Sequence, residues 1–137
     1  MAYEFLPHTA DIKVAFEAET LQELFADGTA LMSGLLAGSS PVEARTERTV
    51  RLKAADTGEL FLGYLRDLLY EYAGESMLPS TASFERLSET ELVARIAGEE
   101  IDPERHEHQP EVKAVTRHDF VVEAREGGWY AEVVFDV

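Results

Sequence analysis

Hydrophobic and polar residues alternate with a period of two along several stretches of this chain, a pattern typical of strands with one buried side. The first is residues 12–18, whose predicted buried side carries Ile12, Val14, Phe16 and Ala18. The same pattern predicts strands at residues 44–55, 83–87, 91–97, 112–124 and 129–137. The strand over 112–124 is long and contains no stop signal, so we expect a bend within it. Gly127-Gly128 then predicts a hairpin turn.

The first predicted helix opens at Thr20, and Glu23 stands three residues later in the arrangement of a capping box. Apolar residues follow at helical spacing as far as Leu36. Gly38 is placed to end the helix, because glycine readily adopts the backbone of a C-terminal cap. A loop over residues 39–43 leads into the next strand.

The second predicted helix begins at Asp56, which with Glu59 repeats the capping-box pattern. A broad apolar stripe from Leu60 to Tyr72 follows, and the helix is expected to end near Gly74. The predicted order β-α-β-α-β-β-β-β indicates an α+β fold. We expect a single domain over residues 1–137, a two-layer sandwich with two helices packed on a mostly antiparallel sheet.

The charge of the chain narrows the classes of partner. Its 137 residues include 12 Lys and Arg against 27 Asp and Glu, a formal net charge of −15. Direct binding of nucleic acid or of an anionic membrane is not expected, because both need a basic face. The hydrophobic fraction of 45% is enough for a core, and there are no cysteines. With no signal peptide at Met1–Leu6 and no apolar run of membrane-spanning length, we expect a cytoplasmic protein.

Two candidate sites lie at the ends of the chain. Residues 8–11 read His-Thr-Ala-Asp before the first predicted strand, and a surface loop is the alternative interpretation. Asp136 is followed by the terminal Val137, so two carboxylates stand side by side. They are hard oxygen ligands of the kind that suits Ca²⁺ or Mg²⁺. A solvated terminal aspartate is the alternative.

Two further candidates lie between residues 104 and 119. His118 and Asp119 could form an acid–base or orienting pair, but neighbours on a regular strand face opposite sides, so a bulge would be required. His106 and His108 flank Glu107 at a spacing that could hold a transition metal, although such acidic loops are usually solvated. No glycine-rich phosphate loop and no GxSxG or HExxH motif occurs.

These residues belong to stretches that resemble the archease family. The stretches are YEFLPHTADI at 3–12, LFLGYLRDLLYEY at 60–72, EVKAVTRHDF at 111–120 and GGWYAEVVFDV at 127–137. The resemblance spans the whole chain. Its most specific part is the combination of His-Thr-Ala-Asp near the start with an ending of Asp plus one aliphatic residue.

The resemblance implies a non-enzymatic protein that activates an RtcB-type tRNA-splicing RNA ligase, promoting its guanylylation and multiple turnover. It also implies a bound divalent cation, with Ca²⁺ expected and Mg²⁺ or Mn²⁺ as alternatives. The implied ligands are Asp11, Asp136 and Val137. Asp11 and Asp136 come from opposite ends of the chain, so the first and last strands would have to lie close together.

The resemblance further implies supporting groups beside the metal or at the ligase contact, namely His8, Lys113, His118 and Asp119. Lys113 matches a position tied to activation. Arg117 departs from the pattern, because the family usually has a tyrosine there, and it is expected to add a cation beside the site.

Two other classes of function remain open from the sequence. A metal-dependent phosphoester hydrolase would use His8, Asp11, His118 and Asp119. A general chaperone or adaptor would use an exposed apolar patch.

Overall fold

The computed structural model describes residues 3–6, 11–107 and 112–137. Its helices are α1 (Leu21–Ala37) and α2 (Thr57–Glu75). Its strands are β1 (Tyr3–Leu6), β2 (Ile12–Ala18), β3 (Thr46–Lys53), β4 (Met77–Leu87), β5 (Glu91–Glu100), β6 (Ala114–Arg125) and β7 (Gly128–Asp136). Every strand pairing that it describes is antiparallel. The α+β class is therefore confirmed.

The described strands form two sheets, where the sequence pattern suggested one. A four-stranded sheet has the order β1-β2-β7-β6, and a three-stranded sheet has the order β3-β5-β4. Both helices contact strands of both sheets. The helices therefore lie between the sheets, and alternation could not predict this because it marks a buried face without naming the partner strand.

Helix α2 is enclosed on nearly all sides, and every residue from Thr57 to Leu69 is buried or half-buried. Aromatic contacts join it to its surroundings. The ring of Phe61 meets Phe16 of β2 at 5.4 Å and Phe25 of α1 at 5.1 Å between centroids, both edge to face. Tyr64 meets Phe84 of β4 at 6.0 Å. These pairs connect both sheets through one helix, in geometries that aromatic rings favour.

One buried hydrogen bond ties the two helices together. The hydroxyl of Thr29 donates to the carbonyl of Phe25 at 2.9 Å, so it accepts from the hydroxyl of Tyr64 at 2.6 Å. Burial raises the pKa of Tyr64 far above its usual value, and the phenol stays a donor.

Both predicted helix starts are confirmed. Thr20 accepts from the backbone N–H of Glu23, and Asp56 accepts from that of Glu59. At the first cap the carboxylate of Glu23 also accepts the N–H of Glu19. Neither helix has the length and apolarity needed to cross a membrane, nor does any other helix in the described part of the chain.

Two strand predictions need correction. β1 was not predicted, since four residues are too few for alternation to stand out. β4 begins at Met77, although the sequence predicted a start at Ser83. Pro79 interrupts the pattern there, and a proline is compatible with β4 because β4 is an edge strand.

Two glycines of α1 should respond oppositely to alanine. A Cβ at Gly28 would lie 3.0 Å from Phe61 Cε1 and 3.1 Å from Leu65 Cδ2, whereas one at Gly34 would meet nothing within 4 Å. We expect Gly28→Ala to lower the free energy of unfolding by about 1–3 kcal/mol through overpacking. Gly34→Ala should raise it by about 0.4–1 kcal/mol, because alanine restricts the unfolded chain. Urea unfolding of both variants measures the difference, and equal effects would contradict the close packing at Gly28.

Candidate functional site

The last strand brings the two ends of the chain together. β7 lies between β2 and β6, and its pairing with β2 reaches Ile12 opposite Phe135. The described pairing stops there, and continuing this antiparallel register by one step would put Asp11 opposite Asp136. On the other side, the N–H of Lys113 donates to the carbonyl of Asp136 at 2.7 Å. Three of the residues implied by the resemblance therefore meet at one end of the four-stranded sheet.

The groups available there are hard oxygens. Asp136 is exposed, Asp11 is half-buried, and the terminal Val137 is 38% exposed. Across the described residues, no three His, Asp or Glu side chains are grouped as a metal site. The set described by the structure consists of the side-chain carboxylates of Asp11 and Asp136, next to Val137. His8, which the sequence added to it, lies outside the described residues.

β6 contains a bulge, which is the feature that a His118–Asp119 pair needs, because neighbours on a regular strand face opposite sides. Thr116 pairs with Val134 and Val121 pairs with Glu132, so residues 117–120 stand opposite one position of β7. Asp119 has a φ of 53°, in the left-handed region that non-glycine residues rarely adopt. Within the bulge, His118 Nε2 lies 3.3 Å from Asp119 Oδ2.

Lys13 connects this bulge to the sheet. Its Nζ lies 3.1 Å from Glu132 Oε1 and 3.9 Å from Asp119 Oδ2, and its side chain is only 18% exposed. Because Lys13 and Asp11 are two residues apart, the alternation of β2 puts them on the same face if it continues to Asp11. Asp119 of the bulge contacts Lys13. It therefore lies on the face of the sheet where this alternation and the register of β7 would put Asp11 and Asp136.

Glu132 of β7 contacts both Lys13 of β2 and Tyr130, which is two residues earlier on β7. The hydroxyl of Tyr130 donates to Glu132 Oε2 at 2.6 Å. This hydrogen bond raises the pKa of Tyr130 to about 12 and, together with Lys13, lowers the pKa of Glu132. The guanidinium of Arg125 lies 3.7 Å from the centroid of the Tyr130 ring. A continuous row of contacts therefore crosses this face, from Lys13 through Glu132 and Tyr130 to Arg125.

Thr116 leaves a polar atom without a partner on this face. Its Oγ1 is the one buried side-chain N or O atom of the described residues that makes no hydrogen bond. The register pairs Thr116 with Val134, which itself pairs with Lys13, so Thr116 lies on the Lys13 side of the sheet. A buried hydroxyl without a partner is uncommon and calls for an explanation.

Arg117 is held away from this face by α2. It makes a bidentate ion pair with Glu59, at 2.5 Å to Oε2 and 2.7 Å to Oε1. The pairing lowers the pKa of Glu59 and raises that of Arg117. Arg66 Nε also donates to the carbonyl of Val115 at 3.0 Å. The start of the bulge is thereby tied to the N-terminal half of α2.

Sequence reasoning missed Lys13, Glu132 and Glu59 as members of this network. Lys13 had a visible signal, as one of only two charged residues in the alternating stretch 12–18. Glu59 was assigned to a helix cap, and its side chain instead binds Arg117. Their contacts depend on the bulge and on long-range packing.

His106 is not a solvated loop residue. Its side chain is buried, and its Nδ1 accepts the N–H of Asp102 at 2.8 Å. The ring proton therefore sits on Nε2, which lies 3.3 Å from Glu99 Oε2. With both ring nitrogens engaged, His106 does not offer a metal ligand, and His108 lies outside the described residues.

Glu99 is the buried centre of this second cluster and is 2% exposed. It accepts the N–H of Glu43 at 2.6 Å, binds Arg105, and lies 3.5 Å from Arg45 Nε. Arg105 first, then the N–H of Glu43 and His106, lower the pKa of Glu99 to about 2 against an ordinary 4.5. The cluster joins the segment before β3 to the segment after β5 at one end of the three-stranded sheet, and it is structural in character.

Comparison with known proteins identifies relatives over nearly the full length. The sequence model described as "Archease protein family (MTH1598/TM1083)" matches residues 3–137. "Protein archease" of Methanosarcina mazei is 34% identical, with 98% of this chain and 95% of that protein covered. "Protein archease" of Pyrococcus abyssi is 32% identical, with 98% of each chain covered.

Two solved structures share the fold. The solution structure of protein 1598 of Methanobacterium thermoautotrophicum has a TM-score of 0.78 and 29% identity, and 99% of each chain is covered. A crystal structure from Thermotoga maritima, described as an archease and possible chaperone, has a TM-score of 0.63 and 21% identity. It covers 96% of this chain and 94% of its own, and it supports the fold alone.

The Glu99 cluster predicts an acid-sensitive fold. Because the folded-state pKa of Glu99 is depressed, its stabilising contribution is present above the unfolded value near 4.5 and is lost as the pH falls toward 2. We expect urea unfolding midpoints to fall over this range, and to fall less steeply in Glu99→Gln than in the matched surface variant Glu89→Gln. If Glu99→Gln does not fold, NMR titration of the Glu99 carboxyl in the unmodified protein gives the pKa directly. A value near 4.5 would contradict the assignment.

Proposed function

The chain is a member of the archease family, and from this we propose that it is a metal-binding, non-enzymatic activator of an RtcB-type RNA ligase in the cytoplasm. In this proposal it promotes guanylylation of the ligase and its multiple turnover. The observation that carries the proposal is the register of β7, which brings Asp11 and Asp136 to the same end of one sheet.

The donor set at this end fits a divalent cation. Two side-chain carboxylates and a terminal carboxylate repel one another unless a cation compensates them. Ca²⁺ takes six to eight oxygen ligands, and Mg²⁺ takes six. If the carboxylates of Asp11, Asp136 and Val137 each bind through one oxygen they supply three ligands, and water or groups of the partner would complete the shell. The unpartnered hydroxyl of Thr116 is a further oxygen on the Lys13 side of this sheet.

The neighbouring groups suit contact with a nucleotide-loaded ligase. A bound cation would supply positive charge that attracts phosphate oxygens. Lys113, fixed through its backbone to Asp136, would add a second point charge. His118 and Asp119, presented together by the bulge, would orient the contact. His8 is expected to join them.

The formal charge of −15 supports a protein partner over RNA. An RNA ligase must carry a basic surface to hold its substrate, and an acidic activator would be steered toward that surface. The charge makes direct capture of RNA by this chain unfavourable.

A chaperone is the second candidate, favoured by two exposed aromatic residues of the described chain and by the description of the Thermotoga protein as a possible chaperone. Phe5 is 59% and Tyr70 is 61% exposed. This candidate predicts suppression of aggregation of unrelated proteins that does not depend on Asp11 or Asp136. A hydrolase would instead show phosphoester turnover by the isolated chain.

The activator proposal predicts a loss of stimulation when the site is altered. We expect Asp11→Ala, Asp136→Ala and deletion of Val137 each to reduce stimulation of the cognate ligase at least tenfold, measured as guanylylation and as ligation turnover. Val137→Ala keeps the terminal carboxylate and Glu89→Ala removes a distant acid, so both should stimulate fully. Full stimulation by all three site variants would contradict the assignment.

Metal binding can be tested without the ligase. We expect Ca²⁺, in calorimetric titration, to bind the isolated chain and to raise its thermal unfolding midpoint, because a ligand of the folded state stabilises it by mass action. Asp136→Asn should remove both effects, whereas Glu89→Gln should keep them. Equal binding by both variants would show that the cation sits elsewhere.

A further inference from the structure

A groove of about 510 Å³ lies at the far end of α2 from the bulge. It opens between the last turns of α2 and the end of the three-stranded sheet where β3 and β4 begin and β5 ends. Apolar side chains line it, namely Leu68, Met77, Leu78, Pro79 and Ile96. Its chemistry is therefore that of a shallow binding groove with an apolar lining.

The other side chains along the groove are predominantly acidic, namely Glu47, Glu71, Glu75 and Glu100. Arg48 is the one cation among the residues that line it, and it is paired with Asp67 at 2.6 Å and lies 3.9 Å from Glu71. Glu47 lies 3.8 Å from Arg95, which is outside the groove lining, so the negative charge left uncompensated in the groove is concentrated at Glu75 and Glu100.

The end of α2 adds to this negative potential. Glu71 and Glu75 lie near a helix C-terminus that has no basic residue in its last turn. The helix dipole favours cations at this end, so acids there oppose stability. Residues that lower the stability of the fold locally, as these glutamates do, are typical of functional surfaces.

We propose that this groove docks a basic, amphipathic segment of a partner protein, with an apolar side chain on the groove lining and flanking lysines or arginines against the glutamates. Charge complementarity selects this occupant. RNA and a second copy of this chain, which is itself at −15, would both be repelled.

The surface is separate from the site at the chain ends. Glu59, which binds the bulge, and Glu75 are sixteen residues apart in α2, about 24 Å at 1.5 Å per residue. The inference therefore goes beyond the proposed metal-dependent activation, and either can fail without the other.

The test uses the full chain and a hexapeptide of alternating Lys and Leu, followed by amide NMR shifts. We expect shifts centred on Met77, Leu78 and Ile96, and weaker binding by a Lys-Ser hexapeptide. Glu75→Lys/Glu100→Lys should weaken binding about tenfold. The control Glu89→Lys/Glu126→Lys makes the same change in net charge in the β4–β5 and β6–β7 turns, outside the groove lining, and should leave binding within twofold.

Folding does not confound this comparison, because Glu75→Lys improves the charge at the helix end and should raise the thermal unfolding midpoint. A stabilised variant that binds less is the expected signature. Equal weakening by the control pair, shifts outside the groove, or equal binding of a Glu-Leu hexapeptide or a hexaribonucleotide would each overturn the proposal.

Discussion

The packing of α2 between two sheets is the constraint on which the rest of the structure depends. The two sheets share no strand, so their relation is set by side chains that meet on the helices. Phe61 carries the contact to Phe16 in one sheet, and Tyr64 carries the contact to Phe84 in the other. An enclosed helix must be apolar over most of its surface, and in α2 only Arg66 and Asp67 break this at mid-helix, where they bind Val115 of β6 and Arg48 of β3. Glu59 at one end holds the bulge of β6, and Glu71 and Glu75 at the other end border the acidic groove.

The parts of the fold that local patterns predict are those that local physics decides. Alternation predicted the buried side of β2 and of β7, and Val14, Phe16, Ala131, Val133 and Phe135 are indeed fully buried. Side-chain caps predicted both helix starts, because a cap is formed by residues three positions apart. The pairing of strands was not predictable, since the same alternation fits any partner. The division into two sheets therefore had to come from the structure.

The candidate site, like the fold, was only partly predictable from the sequence. The sequence marked Asp11 and Asp136 by their places near the chain ends and by the family resemblance, and the register of β7 supplies their proximity. Lys13 and Glu132 could not be linked from sequence, because the bulge makes their contact with Asp119. Arg117 was expected as a cation beside the site, but Glu59 binds it. The acidic loop around His106 was expected to be solvated, yet His106 is buried and lies beside the buried Glu99, which also binds Arg105 and the N–H of Glu43.

The outer edges of the sheets limit how a partner can bind this molecule. β6 is a long edge strand of the four-stranded sheet, and an unbroken edge would invite pairing with another chain. Its bulge breaks the ladder, β1 at the opposite edge has only four residues, and Pro79 interrupts β4 in the other sheet. Strand addition is thus disfavoured at β6, β1 and β4, and a partner that binds at these three edges must be recognised by side chains. The exposed side chains at the two candidate surfaces are carboxylates near the chain ends and glutamates along the groove. A partner that binds them must supply positive charge, either as a bound metal ion or as basic residues.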